Sequence, residues 1–260
     1  MACVGVFTLA VIPVSACHLT HRCHDRKFLF RFKTHRKAYR ERLRRELLNS
    51  GVSLLSYCVT GNHVHLLVSA EDPADIARLM QRLQGDFAKW YNRSKKRSGA
   101  FWNGRYHCTM VESGTHLWNC MRYINLNMVR AGVVEHPRDW LWCGYDEISG
   151  ARSKCLVLDR ERLLAATGAA SARDLGLDHD AMIEEALGAR RLEREPQWTD
   201  AIAVGSQQFV DGVVQAHANK WRARLQIRAA DDGAWLVSED GATYGAVSAA
   251  AEPVQTGSEP

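Results

Sequence analysis

The 260-residue sequence lacks several features that define common protein classes. Its eight cysteines form no C-x-x-C pair, which argues against a zinc ribbon or a thioredoxin-like redox site. A chain of this length can build a core without disulfides, so we expect reduced, mostly buried cysteines and a cytoplasmic protein. No internal repeat is present. With 46% hydrophobic and 24% charged residues, the composition excludes collagen-like, coiled-coil and largely disordered chains.

The apolar N-terminal stretch lacks the positive charge of a secretory signal. Residues 14–17 are similar to a lipoprotein cleavage site, but no Lys or Arg precedes Arg22. The stretch is also too short for a membrane span and contains Pro13. We therefore expect no export and no membrane partner, and we predict that residues 1–15 form an irregular N-terminus before a first strand.

The net charge of +5 is too small to indicate a partner, but the charge is unevenly distributed. Residues 1–150 hold 22 Lys and Arg against 12 Asp and Glu, whereas residues 151–260 hold 12 against 17. The first part therefore has the charge of a polyanion-binding domain, and the second part does not.

Hydrophobic patterns predict seven elements in the first 130 residues, in the order β-α-β-β-α-β-α. Their predicted bounds are 14–23, 34–49, 54–60, 63–69, 73–97, 101–111 and 115–130. This order is typical of an α+β fold of the ferredoxin-like, split βαβ type, with an antiparallel central sheet and a helix at its end. We predict a domain at 16–150, a mostly helical extension at 151–230 and a flexible tail at 231–260.

Two histidines occupy alternate positions of the predicted strand 63–69. Side chains alternate along a strand, so His63 and His65 share one face, about 7 Å apart. Two imidazoles at this spacing can converge on one divalent cation. The alternative is a pair of ordinary half-buried histidines, since short motifs often occur by chance.

A tyrosine and an asparagine lie four residues apart on the predicted helix 115–130. Tyr123 and Asn127 therefore share one helix face. A tyrosine hydroxyl is a possible nucleophile, and an asparagine oxygen can reach a metal or a water. The alternative is a core helix whose tyrosine has a buried body and a polar tip.

Taken together and in this order, the segments 57–68, 101–106 and 123–132 resemble the REP-associated tyrosine transposases. These are HUH single-tyrosine enzymes of the IS200-like transposase superfamily. The resemblance covers residues 16–150, and 198–206 is weakly similar to a C-terminal segment of some relatives. Gly61 and Met128 stand where relatives often have proline, and neither departure removes a chemical group.

The resemblance implies a role for each of the four polar residues. Tyr123 is then the catalytic nucleophile, while His63, His65 and Asn127 hold Mg²⁺ or Mn²⁺. The implied activity is nicking and joining of single-stranded DNA through a 5′-phosphotyrosine link, at hairpin-forming repeats. Two imidazole ligands suit Mn²⁺ better than Mg²⁺.

The implied partner is single-stranded or hairpin DNA, and the sequence leaves the oligomeric state open. Basic side chains for phosphate contacts are concentrated at the end of the second predicted helix and on the third. The predicted DNA-binding residues are Lys89, Arg93, Lys95, Lys96, Arg97, Arg122, Arg130 and, for base stacking, Trp102.

Two other functions fit parts of the sequence. One is a DNA-binding protein of the same fold that no longer cleaves, against which the intact Tyr123 and histidine pair argue. The other is a metal-free phosphoesterase with two H-x-T motifs, the first being His18-Leu19-Thr20. Its second motif requires Ser or Thr at position 65, where His65 stands.

Overall fold

A seven-stranded sheet runs through the computed structural model, which describes residues 16–153, 156–217, 225–230 and 233–239. Its spatial order is β2-β3-β1-β4-β5-β7-β6. The strands are β1 (Ala16–Arg22), β2 (Val52–Val59), β3 (His63–Ala70), β4 (His107–Val111), β5 (Ala203–Gly205), β6 (Leu225–Ala229) and β7 (Trp235–Glu239). The predicted irregular segment 1–15 lies outside the described residues.

The four N-terminal strands form the predicted split βαβ arrangement. Strand β1 lies between β3 and β4 and is antiparallel to both, and β2 pairs with β3 as a hairpin. Helices α1 (Lys33–Leu47) and α2 (Pro73–Ser94) pack on one face of this sheet. Asp72 caps α2 by accepting a hydrogen bond from the Ala74 amide at 2.8 Å, and Pro73 occupies its first turn. The fold class is confirmed.

The third predicted helix is divided in two. It consists of α3 (Thr115–Asn125) and α4 (Asn127–Arg130), separated at Leu126, whose ψ of 1° departs from helical values. Both pieces lie on the sheet face opposite α1 and α2. Gly132, with a φ of +68°, ends the second piece in a conformation that favours glycine.

The fourth strand is shorter than predicted. It begins at His107, because residues 101–106 turn at Gly104, whose φ is +66°. Trp102 still forms an isolated bridge with Cys23 at the end of β1. The apolar content of 101–106 therefore reflects packing of a loop against the core.

The C-terminal extension is mostly helical, as predicted, and also continues the sheet. Its helices are α6 (Arg160–Thr167), α7 (Ala172–Gly188), α8 (Gln197–Asp200) and α9 (Gln207–His217), and the short α5 (Tyr145–Ile148) lies just before it. Strand β5 pairs in parallel with β4, and β7 and β6 follow it. Of the predicted tail 231–260, only 233–239 lies within the described residues, where it contains β7.

Residues 142–144, which follow α4 in the chain, cover the outer edge of β2. The amide of Val59 donates to the carbonyl of Trp142 at 2.8 Å, and Gly144 donates to Tyr57 at 2.9 Å. The buried Glu147 carboxylate accepts from the Tyr57 hydroxyl at 2.8 Å and the Val157 amide at 2.6 Å. An edge strand is thereby paired instead of left open to other chains.

The described cysteines are free, and most are buried, in agreement with the expectation of reduced thiols. They are Cys17, Cys23, Cys58, Cys108, Cys120 and Cys143. Over the same part of the chain, no helix combines the length and apolar character needed to cross a membrane.

The buried His179 predicts a pH-dependent stability. Its Nε2 accepts from the Asn125 amide at 3.1 Å, and burial lowers its pKa to about 3. Because the unfolded histidine takes up a proton near pH 6.5, this contribution is complete above that pH and is lost as the pH falls towards 3.

We expect His179→Gln, which keeps an acceptor for Asn125, to lower the slope of unfolding free energy against pH by about 1.4 kcal/mol per pH unit below about pH 6. Urea denaturation of both proteins between about pH 5 and pH 7 measures this slope. Equal slopes would contradict the assignment.

Candidate functional site

Strand β3 directs its two histidines to the sheet face that α3 covers. Leu67, two residues beyond His65, packs with α3 in the hydrophobic core on that side of the sheet, so the alternation of the strand carries His63 and His65 to the same face. Their ring centroids are 4.8 Å apart. The predicted common face is therefore present.

The turn before β3 orients His63. Its Nδ1 lies 2.7 Å from the Asn62 side-chain oxygen and 3.0 Å from the Thr60 hydroxyl. An amide oxygen accepts only, so Nδ1 carries the proton and Nε2 carries the lone pair. Burial lowers the pKa of His63 to about 3, aided by the Arg22 cation, so the ring is neutral at physiological pH.

Asn127 of α4 contacts His65 of β3 across the space between helix and sheet. Its amide group lies 3.0 Å from Nε2 of His65, which is itself 1% exposed. Asn127 is the first residue of α4, immediately after the break at Leu126. The break therefore sets where this side chain enters the site.

Tyr123 lies beside the histidines but is shielded from solvent. Its ring centroid is 5.9 Å from that of His65, and the residue is 4% exposed. The Arg130 guanidinium carbon lies 4.0 Å from the ring centroid, and Arg130 also donates to the Tyr123 carbonyl at 2.8 Å. Burial raises the pKa of Tyr123, and the Arg130 cation opposes this rise.

A third histidine belongs to the cluster, although sequence reasoning did not include it. His18 of β1 is fully buried, and its Nε2 lies 2.8 Å from Nδ1 of His65. In the β1–β3 register Thr20 is opposite His65 and His18 is opposite Leu67, so His18 is the diagonal neighbour of His65. The signal was available in His18-Leu19-Thr20, whose alternation places both polar residues on one face.

Trp198 of the C-terminal extension contacts two residues of the site, His18 and Tyr123. The carbonyl of Trp198 accepts from Nδ1 of His18 at 2.7 Å, and the Trp198 ring lies 6.4 Å from that of Tyr123. Trp198 Nε1 donates to Glu195 at 2.9 Å, and Glu195 accepts from Arg122 at 3.1 Å through both oxygens. Arg122, predicted to contact DNA, thus pairs with the extension in this state, as Arg130 stacks on Tyr123.

The remaining predicted DNA-binding residues lie at the end of α2 and in the following loop. Lys89, Arg93, Lys95 and Lys96 are exposed there, whereas Arg97 donates to Asn92 and Ala100. Trp102 is half-buried. It stacks on His21 at 4.4 Å between centroids and donates to the Gln84 carbonyl at 3.0 Å. Its predicted stacking on DNA bases remains a prediction.

The donor set fits a divalent cation. Within the described ranges, no three His, Cys, Asp or Glu side chains are grouped as metal ligands, so a third protein ligand beside the two histidines would be of another type. The Asn127 amide supplies one, because a half-turn about its last bond exchanges nitrogen for oxygen beside His65. Burial also lowers the pKa of His65, so both imidazoles are neutral and able to act as ligands.

Comparison with known proteins gives a family match over the N-terminal part of the chain. Residues 13–127, which contain all four predicted site residues, match the model of the IS200-like transposases. Among solved structures, a REP-associated tyrosine transposase bound to a REP hairpin is similar at 14% identity. That match covers 58% of this chain and 86% of the other, with a TM-score of 0.47. No curated protein matches the chain significantly.

The contact between Glu195 and α3 predicts a loss of stability in Glu195→Ala. This change leaves Arg122 and the Trp198 indole N–H without their acceptor, at a cost of about 2 kcal/mol. Urea denaturation measures the effect. The exposed Glu185→Ala on α7, which removes a contact to Arg191, is the control and should change stability by less than about 0.5 kcal/mol. Equal losses of stability in the two variants would show that Glu195 does not hold the segment 195–198 against α3.

Proposed function

We propose that this protein is a metal-dependent endonuclease and strand transferase for single-stranded DNA. The observation that supports the proposal is that three residues from three elements, His63 of β3, Tyr123 of α3 and Asn127 of α4, all lie beside His65. The family match and the basic N-terminal part agree with it. On the sequence resemblance, the substrate is hairpin-forming repeat DNA, as in REP-associated relatives.

The proposed reaction is a transfer of a phosphodiester bond. The Tyr123 oxygen attacks phosphorus while the bond to the 3′ oxygen breaks, which leaves a 5′-phosphotyrosine and a 3′-hydroxyl. The phenolic proton passes to solvent, and the departing 3′ oxygen takes a proton from solvent, so charge and protons balance. Attack by a second 3′-hydroxyl reverses the step and joins strands without an external energy source.

The metal ligands and the nucleophile have different roles in this proposal. His63, His65 and Asn127 would hold the divalent cation, Mg²⁺ or Mn²⁺, which polarises the scissile phosphate when bound. Arg130 stabilises the developing phenolate, because its guanidinium lies against the Tyr123 ring. The burial of Tyr123 means that part of its cover, including the Trp198 side chain but not the backbone carbonyl of that residue, must move before DNA reaches the phenol.

Tyr123→Phe should abolish formation of an SDS-resistant adduct with a labelled single-stranded hairpin in the presence of Mn²⁺. The variant lacks the nucleophilic oxygen but keeps the ring packing against Arg130 and Trp198. Gel electrophoresis under denaturing conditions measures the adduct. Tyr145→Phe is the control, because it removes the hydroxyl of another buried tyrosine on the same side of the sheet. This variant should still form the adduct.

The same experiment separates the alternative functions. Tight binding of the hairpin by wild-type protein without any adduct would favour the non-cleaving DNA-binding protein. Cleavage that persists in both EDTA and Tyr123→Phe would exclude the proposed mechanism.

The exposed charges at the end of α2 predict a salt-dependent affinity. Each phosphate contact contributes about 0.7 to the slope of log affinity against log salt for single strands. The triple variant Lys89→Gln, Arg93→Gln, Lys96→Gln should therefore lower this slope by about 2, as measured by fluorescence anisotropy in a salt series. Arg160→Gln, Arg173→Gln, Arg190→Gln in the extension is the control. An equal loss in the control would show that the α2 surface has no special role.

A further inference from the structure

We propose that His18 is a positioning residue that sets the tautomer of the metal ligand His65, and that the Trp198 carbonyl of the C-terminal extension sets His18 in turn. The inference rests on the proposed function only in taking His65 as a metal ligand. It assigns a part in the site to β1 and to the extension, two elements outside the predicted ligand set.

The Trp198 carbonyl fixes which nitrogen of His18 carries the proton. A carbonyl oxygen cannot donate, so the 2.7 Å contact between Trp198 and His18 requires a proton on Nδ1 of His18. The neutral His18 ring then has its lone pair on Nε2. That atom lies 2.8 Å from Nδ1 of His65 and must accept from it.

The proton on Nδ1 of His65 leaves the other ring nitrogen, Nε2, free to bind a metal. With its proton on Nδ1, His65 presents the lone pair of Nε2 towards Asn127, where the ligand set converges. A neutral histidine in solution divides its proton between both nitrogens, and the tautomer protonated at Nε2 cannot bind a metal through that atom. A hydrogen-bonded partner on the other ring nitrogen is how proteins orient imidazole ligands.

The Trp198 carbonyl, at which this series of hydrogen bonds begins, is held in place by the neighbouring strands. Thr109 of β4 donates to the Ala201 carbonyl at 2.7 Å and lies 3.3 Å from that of Trp198. Two residues later β5 pairs with β4, and Ala203 is opposite Met110. The extension therefore presents the Trp198 carbonyl at a fixed place on the sheet.

One competing acceptor is present near His65. The Thr20 hydroxyl lies 3.4 Å from Nδ1, longer than the contact to His18 and outside the usual range for such a bond. A hydroxyl can accept or donate, so Thr20 does not by itself select a tautomer of His65. The double variant His18→Leu, Thr20→Val removes both acceptors.

The first test measures the tautomer in metal-free protein without DNA. Long-range ¹H–¹⁵N NMR of ¹⁵N-histidine-labelled protein distinguishes Nδ1–H from Nε2–H rings, and the His65→Gln spectrum assigns His65. We expect His65 to be protonated at Nδ1 in the wild type and to populate both tautomers in His18→Leu. A wild-type His65 protonated at Nε2 would overturn the proposal.

The second test measures Mn²⁺ affinity by electron paramagnetic resonance. His18→Leu and the double variant should raise the dissociation constant about 10- to 100-fold, the usual effect of removing such a partner. His18→Gln, whose amide can donate to Trp198 and accept from His65, should restore most of the affinity. His35→Phe is the control, because His35 is a buried histidine that donates to the Leu29 carbonyl away from the site.

The outcomes separate this inference from the proposed function. An unchanged Mn²⁺ dissociation constant in a folded His18→Leu and double variant, or wild-type protein that binds no Mn²⁺, would overturn the inference. Wild-type protein with the expected tautomer and Mn²⁺ affinity, but without an adduct at Tyr123, would support the inference and contradict the endonuclease.

Discussion

The antiparallel pairing of β1 with β3 is the contact on which the site depends. Its register sets Thr20 opposite His65 and makes His18 the diagonal neighbour of that histidine. Side chains alternate along each strand, so a slip of one residue in either strand would turn His18 or His65 to the other face of the sheet, where α1 and α2 pack. Both strands are central in the sheet, and apolar residues on their other face pack under α1 and α2. The hydrophobic core thereby maintains the alignment of polar groups.

The C-terminal extension belongs to the site as well as to the sheet. Its strands continue the order beyond β4, and its α8 segment supplies the Trp198 carbonyl and ring. The negative charge of the extension is not in conflict with this, because Glu195 neutralises Arg122 beside the site. Glu195 thus holds a side chain that the sequence predicts to contact DNA, and that DNA contact stays a prediction.

The environment of Tyr123 combines two opposing requirements. A nucleophilic phenol gains from a nearby cation, which Arg130 supplies, but burial raises its pKa and removes it from substrate. The break at Leu126 separates α3, which carries Tyr123, from α4, which carries Asn127 and Arg130. The proposed nucleophile and the cation beside it thus lie on two short helical pieces joined at one non-helical residue.

Much of this was accessible from the sequence, since periodicity reports local structure. Alternation predicted the common face of His63 and His65, and the element order predicted the split βαβ fold. Local patterns do not report which distant segments meet. The link from His18 to His65 spans 47 positions, and that from His18 to Trp198 spans 180. Residue types, spacing and the family resemblance together predicted the four polar residues, because all of these are local features of the sequence. Only the packing of the sheet decided that a third histidine and a carbonyl of the extension lie beside them, because those contacts join distant segments.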